Sequence, residues 1–158
     1  MARARLESEQ TATQRLDQII DMPESSIESQ AQEIADELLA IGEASLESWL
    51  IARGDVPTDA TLEGFRLLAL HRQGARGDPS FNACRETCRE LVYHRNCVSA
   101  APDGRDVARM LRLGAMVARH LVLFIDGKLE NVGLGEFCCS SRPIRQRDAA
   151  GPAAAENR

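Results

Sequence analysis

Apolar residues in this chain recur every three or four positions over long stretches, and that spacing restricts it to helices. Ile27, Ala31, Ile34, Leu38 and Ile41 form one stripe, continued by Leu46, Trp49 and Leu50 and backed by a run of glutamates and aspartates. Val107, Leu111, Gly114, Ala118, Leu121 and Ile125 form another, thickened by Met110, Val117 and Val122. So much of that second segment is apolar that it is expected at the centre of a bundle.

The intervening segments read the same way. Ala12, Leu16, Ile19 and Ile20 mark a helix that Pro23 ends. Ser25 and Glu28 have the spacing of a capping box for the next helix. Thr58 is placed to cap a third, with Leu62, Phe65, Leu68 and Ala69 inward and Gly74 and Gly77 ending it. Asp78-Pro79 reads as an N-cap followed by proline in the first turn of a helix reaching about Cys97. Asp126-Gly127 is either the end of the last helix or a hairpin turn. The unbroken period from Val107 favours the helix. The expected fold is an all-α, single-domain bundle of about five helices over residues 1–147, frayed at 1–11 and irregular after Gly133. Residues 148–158 read as a disordered tail.

A chain of 158 residues is long enough to fold on its own core without staples. Aromatic residues are 4% of it, thin for a base-stacking surface. The N-terminus has no apolar core of a secretory signal, and no run nears the roughly 18 apolar residues of a membrane span. A cytoplasmic protein with no membrane partner is therefore expected, with its five cysteines mainly as thiols. All but one of the basic residues are arginine and alanine is abundant, which suggests a GC-rich bacterial source.

Charge is unevenly spread. Residues 1–60 carry 4 basic and 13 acidic side chains, and residues 61–158 carry 15 and 11. The simplest expectation is that the halves neutralise each other on folding. The alternative is a polarised surface that steers a partner.

Cys84 and Cys88 lie one helical turn apart on the face that carries Phe81 and Leu91. Core packing is the expected role of such a pair. The alternative is a soft-metal or redox site completed by His120 or by Cys138 and Cys139, since Cys97 and His94 point elsewhere on a continuous helix. No cofactor is the default expectation. Glu86, Glu90 and His94 at i, i+4, i+8 read as a solvated face rather than a metal wall.

Arg105, Arg109, Arg112 and Arg119 form a basic stripe on the last helix, and Arg142 and Arg145 lie in the basic stretch beyond it. These are the candidate partner contacts. Nucleic acid is disfavoured by the net charge of −5 and the scarcity of aromatics. Hydrolase, nucleotide-binding and zinc-protease motifs are absent. The expected function is thus a non-enzymatic accessory protein that docks on a protein partner, or on itself, through a helix face. A thiol-based metal or redox protein is the alternative, and a cysteine-dependent enzyme ranks last.

Overall fold

The computed structural model describes residues 2–130, with side-chain detail from residue 11 onward. Six α-helices and one 3₁₀ turn follow in order: α1 (Ala2–Asp21), α2 (Glu24–Ser29), α3 (Ala31–Ala52), α4 (Arg66–Ala75), the 3₁₀ turn (Pro79–Cys84), α5 (Arg85–Ala100) and α6 (Val107–Glu130). No β-strand occurs among the described residues. The expected all-α bundle is what forms. No helix among the described residues is long and apolar enough to cross a membrane. The expectations for residues 131–158 lie outside the described residues.

Helix α6 packs on α1, α2, α3 and α5, while α3 packs on α4, α5 and α6. Between them lies a core of Leu, Ile, Val and Ala with Trp49, Phe81 and Phe124 at one end. Glycine at 42 is a packing requirement rather than a bend. A Cβ there would lie 3.0 Å from Leu67 Cδ1, 3.4 Å from Leu91 Cδ1 and 3.5 Å from Leu121 Cδ2. Gly114 plays the same part on α6, where an added Cβ would sit 3.0 Å from Leu38 Cδ1.

Four local expectations are corrected. Ser25 does not cap a helix: Pro23 holds the N-cap position of α2, and its carbonyl accepts from the Ser26 and Ile27 amides. The expected second helix is also divided, because Gln30 leaves helical geometry with φ −119° and ψ 24°. Thr58 does not start the third helix. It lies in a loop, where its hydroxyl accepts from the Ala60 amide, and α4 begins only at Arg66. Leu62 and Phe65 pair through reciprocal 3.0 Å backbone hydrogen bonds around Glu63 and Gly64. Both central residues have positive φ, 55° and 86°, the signature of a tight two-residue turn. Finally, α6 runs through Asp126-Gly127 to Glu130, so that pair neither ends it nor turns a hairpin.

The charged halves do meet. Arg66 reaches Glu43, Glu47 and Asp59, Arg95 lies 3.4 Å from Asp36, and Arg119 lies 3.1 Å from Asp17. Partial neutralisation across the bundle is therefore real.

Gly42→Val should overfill the junction of α3, α4, α5 and α6. The expected loss is about 1–3 kcal/mol in urea unfolding, even though the residue itself sits in a helix that would otherwise favour replacing glycine. An unchanged midpoint would show that the three leucines yield freely.

Candidate functional site

Cys84 and Cys88 share one face as the spacing predicts, and both are fully buried. Cys84 closes the 3₁₀ turn and precedes α5, which continues unbroken to Ala100. Burial pushes the Cys88 thiol up to about 12, so at neutral pH it is protonated. His120 is exposed on α6. No group of three or more His, Cys, Asp or Glu side chains with metal-holding geometry occurs among the described residues. Cys138 and Cys139 lie outside them. Cys97 is half-buried beside Tyr93, and its thiol raises the Tyr93 pKa above the ordinary phenol value. Glu86 and Glu90 are exposed while His94 is buried, so those three do not form one wall.

The four arginines of α6 and its approach separate into two pairs. Arg112 donates to the Met22 carbonyl at 2.8 Å, and Arg119 lies beside Asp17. These two hold α1 and the turn after it against α6. Arg105 and Arg109 are exposed and form no ion pair among the described residues. Arg142 and Arg145 lie outside the described residues. Next to Arg109 on the same outer face stand Leu113, Met116 and Leu123, 39%, 55% and 39% exposed. With His120 they follow a 3-4-3 spacing, the seam of a two-helix contact.

A second surface went unpredicted. A groove of 610 Å³ runs between α4 and the start of α5, lined by Leu62, His71, Arg72, Arg76, Arg85 and Arg89 among others. It continues past Arg72 and Arg76 into a further 510 Å³ beside the Val56–Leu62 loop. Gln73 clamps that loop, accepting from the Thr58 amide at 2.9 Å and donating to the Val56 carbonyl at 2.8 Å. Arg89 pairs with Glu63 at 2.9 Å. Arg72, Arg76 and Arg85 are exposed and form no ion pair among the described residues. Two arginine pairs spaced four apart, Arg72 and Arg76 at the end of α4 and just past it, and Arg85 and Arg89 in the first turns of α5, were the available signal. Their convergence depends on how α4 and α5 cross.

The groove's inner wall is polar in a defined way. His71 Nε2 lies 2.8 Å from the Phe81 carbonyl, which can only accept, so that nitrogen carries the proton. Burial holds the His71 pKa below the ordinary imidazole value; the hydrogen bond to Phe81 opposes this, and Arg85 and Arg89 lower it further.

Behind this wall sits the one lysine of the chain. Lys128 is 2% exposed, with Nζ 2.7 Å from Ser80 Oγ and 3.1 Å from Asp78 Oδ2. The rings of Trp49, Phe81 and Phe124 surround it at 4.8, 5.0 and 5.7 Å. Lysine is so seldom buried that sequence alone assigns it to the surface. Asp78 caps the 3₁₀ turn through the Ser80 amide, as the Asp-Pro pair predicts. Burial pushes the Asp78 carboxyl up, but the Ser80 hydroxyl and the Lys128 ammonium outweigh it and hold it below its ordinary value.

The chain matches no family model, no curated protein and no solved structure. The geometry alone therefore carries the functional reading.

Two pH effects follow. Asp78 binds its proton less readily in the folded chain than in the unfolded one. Its stabilisation is thus complete at neutral pH and is lost as the medium falls from about pH 4 through the lower folded value. Asp78→Asn should abolish that acid-dependent loss and cost on the order of 3 kcal/mol at pH 7 by removing a carboxylate from a buried ammonium. His71 and His94 are both lowered by burial. The unfolded chain therefore takes up protons first, and stability should fall as pH drops through about 6.5. Urea titrations between pH 8 and 5 check this. A flat profile, or an unchanged one in a His71→Gln, His94→Gln double variant, contradicts it.

Proposed function

We propose that this is a non-enzymatic cytoplasmic protein of bacterial type that works by docking, and that it pairs with a second copy of itself through the outer face of α6. The observation that carries this reading is the row of Leu113, Met116 and Leu123 left in solvent on a helix whose opposite face is buried in the core. A helix that packs on four neighbours has no internal reason to keep three large apolar side chains outside.

Register and charge favour a second copy as the occupant. Antiparallel pairing of α6 about its middle sets Leu113 against Leu123 of the second copy, and Met116 against His120. Arg109 then falls opposite Gly127, where no side chain obstructs it, and within a turn of Glu130. Arginine at one end of the seam thus meets glutamate at the other, twice by symmetry. Parallel pairing would instead bring the two Arg109 guanidinium groups together.

The thiols of Cys88 and Cys97 fit a reducing compartment.

Sedimentation equilibrium at tens of micromolar tests the proposal. The wild type should be a dimer. Leu113→Glu with Met116→Glu should sediment as a monomer with unchanged helical circular dichroism. Arg109→Glu should weaken the dimer, and adding Glu130→Arg should restore it. A monomeric wild type, or a double glutamate variant that remains dimeric, overturns the reading.

A further inference from the structure

The groove between α4 and α5 is an independent surface on the molecule, and its charge is out of keeping with the rest of the chain. The protein is acidic overall, at −5. On the other helices most arginines are matched: Arg15 with Glu37, Arg66 with Glu43 and Glu47, Arg95 with Asp36, and Arg119 with Asp17, while Arg105 and Arg109 stand apart from one another in solvent rather than in a shared concavity. In the groove the balance reverses. Arg72, Arg76, Arg85 and Arg89 line one 610 Å³ space, and Glu63 is the carboxylate lining it. Glu63 is already engaged, with its two oxygens 3.3 and 2.9 Å from Arg89. Arg72, Arg76 and Arg85 therefore share a concave wall with no ion pair of their own among the described residues, Arg85 feeling the Glu63 carboxylate only beyond contact range, although the chain has acidic residues to spare.

Like charges held close raise the energy of the unliganded protein, and a bound anion relieves it. The field is felt by a neighbouring group: Arg85 and Arg89 both disfavour a proton on His71, which lines the same wall. The walls are also built rather than incidental. Glu63 occupies a left-handed conformation, φ 55°, a strained position for a residue with a side chain, and so places its carboxylate on Arg89. Gln73 pins the opposite lip through two hydrogen bonds.

We infer that the α4–α5 groove is a binding site for a phosphate monoester, held by Arg72, Arg76 and Arg85 with Arg89 in support. A single carboxylate would neutralise one of the three open charges, whereas a phosphate monoester carries close to two at neutral pH. Its three oxygens match several planar guanidinium forks at once. The space is larger than a phosphate group alone needs. The groove continues past Leu62 to Val56 and Pro57, so the ligand's body lies along that extension. A phosphorylated small molecule and a phosphorylated peptide offer the same chemistry there.

Isothermal titration of the full chain distinguishes them. The probes are free O-phosphoserine, a nine-residue Gly/Ala peptide with a central phosphoserine, and the same peptide with glutamate in its place. Saturable binding of a phosphate probe, at least tenfold tighter than the glutamate peptide, is the expected result. Arg76→Ala and Arg85→Ala should each weaken it about tenfold or more, while Arg109→Ala on α6 leaves it unchanged. All three positions are exposed, so circular dichroism should confirm an intact fold. Equal affinity for free phosphoserine and the phosphopeptide identifies a small phosphorylated ligand, and tighter peptide binding identifies a phosphorylated chain. The inference is overturned by no saturable binding of either phosphate probe at millimolar concentration, by equal affinity for the glutamate peptide, or by affinity that survives both groove substitutions. The dimer test on α6 has a separate readout, so either proposal can fail alone.

Discussion

The ammonium of Lys128 is the point on which one end of this bundle is organised. It is buried against three aromatic rings and balanced by Asp78 and Ser80. A charge in such a place is tolerated only when opposite charge and hydrogen bonds meet it there. Asp78 serves twice, since it also accepts from the Ser80 amide and so starts the 3₁₀ turn. That turn delivers Phe81 to the core, where its ring meets Trp49 and Phe124 and its carbonyl holds His71. It also determines where α5 begins, and hence where Arg85 and Arg89 stand relative to Arg72 and Arg76. The last helix, the aromatic cluster and the arginine groove are thus mechanically linked through one ion pair.

Helix α6 is divided lengthwise between two tasks. Its inner faces carry Val107, Leu111, Ala115, Ala118, Leu121 and Ile125 into the core. Its outer face carries Leu113, Met116 and Leu123 into solvent. Arg112 and Arg119, on the flank, tie the helix to the turn after α1 and to α1 itself. A basic stripe that looks uniform in the sequence is therefore two different things. Its inner members brace the fold, and Arg109 borders the exposed apolar seam.

Local errors in the sequence reading had identifiable causes. A capping box at Ser25 was plausible by spacing, but Pro23 takes the N-cap position two residues earlier, and the serine falls inside the first turn. Periodicity around Thr58 suggested a helix through Leu62 and Phe65. Those two residues face each other across a tight turn instead, a contact that apolar spacing imitates. Gly127 lies inside α6 because the helix on both sides is anchored by buried side chains, Phe124 and Ile125 before it and Lys128 after it. Tertiary burial of that size overrides the roughly 1 kcal/mol cost of one glycine. The cysteine pair was legible in its position and in its expected role as core.

What the sequence determined by itself is the helical class, the inward faces of α3, α5 and α6, the Asp78 cap and the shared face of Cys84 and Cys88. All of these follow from spacing along one helix or one turn, and the 3.6-residue period is a local property of the chain. Only the tertiary structure decided that Lys128 is buried, that Arg112 and Arg119 turn inward to α1, and that four arginines from α4 and α5 line one groove. Each of those depends on the angle and register at which separate helices meet. Packing of side chains distant in sequence sets those quantities, and no short stretch of residues encodes them.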